Sequence, residues 1–211
     1  MLTFIQLTIL MISVVLHEIA HGYVAFKNGD PTAMQLGRLS LNPIVHIDLL
    51  GTVLLPGLCV VSGSPFFIGW AKPVPVNTRY FSNPIKQMMW VALAGPLTNI
   101  SIAVVASVVL SLLIGLNVGS TVYITHGLLY YALLYFIQIN LVLAVFNLIP
   151  IPPLDGSRVI MNYLPQKAQH YMQRMEPYGF AIVFGLAYFG VLDVLFRIVL
   201  PPLYRLFIPG V

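Results

Sequence analysis

Charge is scarce in this sequence. Only 8% of its 211 residues are Asp, Glu, Lys or Arg, against 59% apolar, and the mean hydropathy is +0.92. Soluble domains carry about 25% charged residues. A chain this poor in charge has no means of covering itself with a hydrated surface, so lipid is its main solvent. Cysteine is nearly absent as well. Cys59 is the single one, which excludes an intrachain disulfide and a thiolate zinc cluster; set in an apolar run, it reads as a small buried hydrophobe. A basic segment ahead of the first apolar run is also missing, and that run contains His17, Glu18 and His21. The N-terminus therefore reads as a retained helix and not as a secretory signal. No low-complexity tract, long linker or internal repeat is evident.

The basic residues, ten Lys and Arg against six Asp and Glu, sit in loops between apolar runs. That placement is an orientation signal rather than a nucleic-acid surface, and no nucleic-acid partner is expected. Four apolar stretches, roughly 3–26, 88–115, 123–148 and 178–199, reach the about 20 residues that a helix needs to cross a bilayer. A fifth, roughly 49–62, is shorter and holds Gly51, Pro56 and Gly57, which suits a re-entrant segment. Residues 28–48 and 63–86 are rich in Gly, Pro and Asn. Gln35 to Leu41 alternates polar and apolar as a strand does, and Phe66 to Asn77 carries aromatics with Pro73 and Pro75, as an edge strand or extended loop does. The predicted fold is thus an all-α polytopic membrane protein forming a single domain over 1–211. It is a bundle of about four transmembrane helices with a short re-entrant segment and a small membrane-associated β-sheet.

The chemistry concentrates in the first helix, which reads His17-Glu18-Ile19-Ala20-His21. Histidines at i and i+4 share one helical face, so both imidazoles can reach one ion, and Glu18 stands beside that ion. Ionisable groups inside a span are costly and usually functional; the plainer alternative is a helix-end cluster hydrogen-bonded to its neighbours. A catalytic zinc takes three protein ligands and keeps one position open. Asp30, Asp48, Asp155, Glu176, Asp193, His46, His126 and His170 are the candidates for the third. Asp155 stands out. It ends the run Asn147-Leu148-Ile149-Pro150-Ile151-Pro152-Pro153-Leu154-Asp155-Gly156, whose prolines break the preceding helix and fix an extended segment, while Gly156 permits a tight turn. A Pro-rich loop whose Asp caps the next helix is the alternative.

An HExxH in a membrane helix followed far downstream by NxxPxPPLDG resembles the site-2 protease family of intramembrane zinc metalloproteases. Gly69 to Asn77, Ala94 to Asn99 and Gly37 to Pro43 are similar to stretches of the small prokaryotic members without a PDZ domain. The resemblance covers nearly the whole chain. It implies that His17, His21 and Asp155 bind one zinc ion, that Glu18 is the general base and that Asn147 is a catalytic hydrogen-bond donor. It also implies a membrane-spanning protein substrate and regulated intramembrane proteolysis.

Spacing adds a topology test. His17 and His21 lie in the C-terminal half of their helix, and Asp155 lies just beyond the C-terminal end of helix 123–148. If 49–62 does not cross, both ends reach one face. If it crosses, the ligands are separated by roughly 20 Å or more of helix rise, against a zinc–ligand bond of about 2 Å. Without the crossing, one face receives Lys27, Arg38, Lys72, Arg79, Lys86, Arg158, Lys167 and Arg174, and the other Arg197 and Arg205. The crowded face is then cytoplasmic, and the active site lies nearer to it. A substrate helix must be unwound before its carbonyls can be attacked. The extended run 66–77, through Val74 and Val76, is a candidate for pairing with it; a structural hairpin is the alternative. His46 reads as an interfacial polar residue, and Gly95, Pro96 and Asn99 as residues that shape helix packing. Rival functions are a protease using Glu176 as third ligand, a non-catalytic zinc-binding membrane scaffold and an ion-conducting membrane protein.

Overall fold

The computed structural model describes residues 2–54, 58, 61, 69–115 and 127–210. Cys59, His126, most of the second half of the expected re-entrant segment and residues 63–68 lie outside this set. Helix α1 (Leu2–Lys27) is the first apolar run, unbroken by proline. Helix α2 (Pro84–Leu113) begins with Asn83, whose side chain accepts a hydrogen bond from the Lys86 N–H, and with Pro84 in its first turn. Asn as N-cap and Pro at the first position form a strong start signal. Helix α3 (Gly127–Asn147) follows. These three are long and apolar enough to cross a membrane. Helices α4 (Asp155–Met161), α5 (Gln166–Met175), α6 (Gly179–Tyr188) and α7 (Val191–Phe207) complete the chain.

The fourth expected span, 178–199, is not one straight helix. Gly190 sits between α6 and α7 at φ +74, a conformation that costs glycine little and other residues much. The two helical arms there are bent by 76°. Hydropathy alone gives no sign of this, because both arms are apolar.

Helix α2 packs on α1 and on α3. Along the second contact, Ala103, Ala106 and Leu110 meet Ile137 and Leu141, with Leu200 and Ile208 closing the cluster. Small residues let the helix backbones approach closely, as dispersion packing in lipid requires. Leu7, Ile12, Val105, Val108 and Leu112 point outward, as lipid-facing residues of spans do.

The expected β-sheet is absent. Among the described residues there is no β-strand. Residues 28–48 form a single turn at Thr32–Gln35 and a 3-10 turn at Pro43–His46. Residues 70–77 are extended, but side chains and helical turns take up the backbone groups that a ladder would use. The Lys72 and Pro73 carbonyls accept from the Arg38 guanidinium at 2.7 and 3.3 Å, and the Lys72 N–H donates to the His46 carbonyl. The Val74 N–H donates to Glu18 at 2.8 Å and the Asn77 N–H to Asp30 at 2.6 Å. Pro73 and Pro75 have no N–H to give. An alternating pattern reports an extended chain; it does not say what satisfies the backbone.

Asp30 is fully buried and accepts from Thr32 as well as from Asn77. Asp30→Ala leaves buried donors unpaired and is expected to cost about 2 kcal/mol, read as a lowered midpoint of chemical unfolding in detergent. An unchanged midpoint would mean that residues 72–77 are anchored elsewhere.

Candidate metal centre

One helical turn separates His17 from His21 on α1, and both rings are buried, at 6% and 9% exposure. Their Nε2 atoms are 3.0 Å apart. Asp155 Oδ2 lies 3.3 Å from each. The carboxylate arrives there because α3 stops at Asn147 and the proline-rich turn 150–153 folds back beneath it. Gly156 fits against the Leu148 and Ile149 carbonyls, where a Cβ would collide with backbone. Glycine at that position is what lets α4 begin under the end of α3, with Asp155 as its first residue.

The three atoms fit a metal ion. Ligand bonds of about 2.0–2.1 Å in a tetrahedron place the ligand atoms roughly 3.3 Å apart, close to the 3.0, 3.3 and 3.3 Å observed. Asp155 Oδ2 is buried without a hydrogen-bond partner. His21 Nδ1 is 2.7 Å from the Val91 carbonyl. A carbonyl only accepts, so Nδ1 carries the hydrogen and Nε2 presents a lone pair. His17 Nδ1 is 2.5 Å from Asn99 Oδ1, which is likewise an acceptor. Buried lone pairs converging on one point repel one another unless a cation lies among them.

Among the described residues, His17, His21 and Asp155 form the one group of His, Cys, Asp and Glu side chains able to hold a metal. The other candidates among the described residues are engaged elsewhere or stand apart. Glu176 is paired with Arg158. Asp30 serves Thr32 and Asn77. Asp48 accepts from the N–H groups of Leu50 and Gly51. His46 Nε2 meets the Ser40 carbonyl at 2.9 Å. His170 is exposed on α5, and Asp193 lies in the first turn of α7.

The centre opens into a cavity of about 1180 Å³. Glu18, Asn147, Val74 and Val76 line it with His17, His21 and Asp155, and Trp70, Phe180, Phe184 and Tyr188 make its apolar wall. Glu18 Oε2 accepts the Val74 N–H, and the Asn147 amide donates to the Leu143 carbonyl at 3.0 Å.

Peptidase family M50 matches the chain over residues 5–189. The chain belongs to this family. Over 173 residues it is 41% identical to a Bacillus subtilis protein provisionally named zinc metalloprotease YwhC, covering 82% of this chain and 75% of that protein. It is 30% identical over 173 residues to a Mycolicibacterium smegmatis protein provisionally named zinc metalloprotease Rip2, covering 82% of this chain and 62% of that one. Zinc metalloprotease MJ0392 of Methanocaldococcus jannaschii is 28% identical over 75% of this chain and 34% of its own length. No solved structure matches significantly. With its long apolar helices, this M50 chain is a multi-pass membrane metallopeptidase, and the site-2 protease resemblance holds.

Several contacts that shape the centre escaped the sequence reading, which took Gly95 and Asn99 as packing residues. Asn99 touches His17, the Val91 carbonyl fixes His21, and Gly95 sits where α2 meets both rings. A Cβ on Gly95 would lie 2.5 Å from His17 Cε1 and from His21 Nε2. A polar side chain at mid-span was the available signal for Asn99; nothing in the sequence points to a carbonyl. Gly95→Ala should therefore separate two effects. Alanine favours a helix interior by about 1 kcal/mol, yet here it must push the imidazoles aside. The M50 chain is expected to stay folded and to lose metal affinity by roughly tenfold or more, measured by competition with a chromophoric chelator. Wild-type affinity would show that the rings have room to give way.

Proposed function

We propose that this chain is a zinc-dependent endopeptidase that hydrolyses peptide bonds within the transmembrane segments of membrane-anchored proteins, holding one zinc per chain. The observation that carries the reading is the meeting of the His17, His21 and Asp155 ligand atoms beside Glu18 in a cavity bounded by apolar helices. The names of the relatives supply the zinc. Such a cation, when bound, supplies Lewis acidity that lowers the pKa of a water to about 7. The chain's own groups do the rest. Glu18 takes a proton from a water in the cavity and returns it to the leaving amine. Asn147, whose amide faces the same cavity, offers a donor to the oxygen on which negative charge develops.

The substrate is a helix locally unwound against the apolar wall. Val74 contributes through its N–H, which holds the Glu18 carboxylate, since its own side chain is buried. Val76 lines the cavity and contacts the substrate. The active site lies nearer the cytoplasmic face, as the excess of Lys and Arg at that end of α1 supports. Proteolysis of this kind inside the membrane is a regulatory step, releasing a tethered protein.

Wild type and Glu18→Gln, purified in detergent, are to be compared on single-span model substrates with zinc content measured in parallel. Cleavage by wild type alone, with about one zinc in both, is expected; zinc in both with no cleavage by either would favour a scaffold. Asp155→Ala should lose the metal and Glu176→Ala should keep it, and the reverse pattern would move the third ligand to Glu176. Val74→Pro removes the donor to Glu18 and should reduce cleavage while leaving zinc content unchanged. Full turnover in that variant would show that Glu18 needs no such support.

A further inference from the structure

Three fully buried polar side chains join the spans behind the metal centre: Ser13 on α1, Asn99 on α2 and Asn140 on α3. We propose that Asn99 is a positioning residue that fixes the His17 imidazole, through this chain of hydrogen bonds, in the tautomer whose Nε2 faces the metal.

The direction of the chain follows from its far end. The Ile9 and Phe136 carbonyls can only accept. The Ser13 hydroxyl gives its one hydrogen to Ile9 at 2.8 Å, so towards Asn140 it accepts. Asn140 Nδ2 donates to Ser13 Oγ and to the Phe136 carbonyl, both at 2.9 Å. Its Oδ1 is left to accept from Asn99 Nδ2 at 2.7 Å. That orients the Asn99 amide with Oδ1 against His17 Nδ1 at 2.5 Å. An amide oxygen has no hydrogen to give, so Nδ1 carries the proton and Nε2 the lone pair. Flipping either amide sets oxygen against oxygen or NH2 against a donor, so the network itself decides the assignment usually left to refinement.

Two backbone carbonyls, one on α1 and one on α3, thereby set the protonation pattern of a ligand on α1 through an amide on α2. His21 needs no such relay, because the Val91 carbonyl fixes it directly. Interhelical amide bonds also serve as simple adhesive between spans. Adhesive alone does not require the last amide to end on a ligand nitrogen. A relay does, and the two roles part company when metal binding is measured separately from folding.

The inference rests on the metallopeptidase reading of the centre. Metal-free wild type, Asn99→Leu and Asn99→Asp, solubilised in detergent, are titrated with cobalt(II) and followed by visible absorption, with thermal unfolding of the metal-free proteins as control. Asn99→Leu keeps the volume and removes the acceptor; a 10–100-fold weaker cobalt affinity and an altered spectrum are expected. Asn99→Asp keeps an acceptor towards His17 but sets its second oxygen against Asn140 Oδ1, so an affinity between those of Asn99→Leu and wild type is expected. A folded Asn99→Leu with wild-type affinity and spectrum overturns the role of Asn99. Should Asn99→Leu fail to fold, Asn140→Leu, one bond further from His17, carries the test: weakened affinity is expected and wild-type affinity overturns the proposal. A wild type that binds no cobalt or zinc overturns the metal centre itself, a distinct result.

Discussion

A polar group placed at membrane depth finds its partners inside the protein or not at all, and the layout of this chain follows from that constraint. Helices satisfy the backbone. The side chains that remain, His17, His21, Ser13, Asn99 and Asn140, are satisfied by one another and by carbonyls. Asp155 Oδ2 is buried with no hydrogen-bond partner, and it is the atom that faces both Nε2 lone pairs. Arg38 Nε and His46 Nδ1 are likewise buried without a partner, but only Asp155 Oδ2 stands 3.3 Å from two imidazole nitrogens, and that place is shaped for a cation.

Two devices hold the centre from opposite sides. On the bundle side, amides on α2 and α3 and a hydroxyl on α1 orient one imidazole, and a carbonyl of α2 orients the other. On the loop side, residues 72–77 are tied down by Arg38 at one end and Asp30 at the other, and in the middle the Val74 N–H holds Glu18. Both anchoring charges are buried. They are spent on backbone groups of an extended segment, which explains at once why that segment forms no ladder and why the Glu18 carboxylate has a fixed place beside the metal ligands.

How much of this was legible depends on distance along the chain. HExxH was readable because its geometry is local: i and i+4 share a face whatever else the protein does. The turn that carries Asp155 was readable because three prolines and a glycine in a short run say where a helix must end. Asn99 was not, since its partners lie 82 and 41 residues away and one amide in an apolar helix looks like packing. The sheet was misread for a related reason. Period-two alternation at 35–41 reports the side chains, while the partners of residues 72–77 are the distant side chains of Glu18, Asp30 and Arg38. The bend at Gly190 was invisible to hydropathy because lipid-facing composition continues across it.

The positions of Gly95 and Gly156 suggest what sets the precision of the centre. At each, a Cβ would strike either the imidazoles or the backbone of α3's end. The distances among the ligand atoms are therefore set by backbone contact, α2 against the rings and α4 against the last turn of α3, rather than by flexible side chains reaching for an ion. A centre assembled this way has its ligands ordered before any metal arrives, so binding energy is not consumed in ordering them. The hydrogen bonds to Nδ1 of each histidine complete that order, because backbone placement brings a ring to the site but leaves it free to rotate and to choose its tautomer. Close backbone approach sets where the ligands are; the buried amides and carbonyls set which atoms they present.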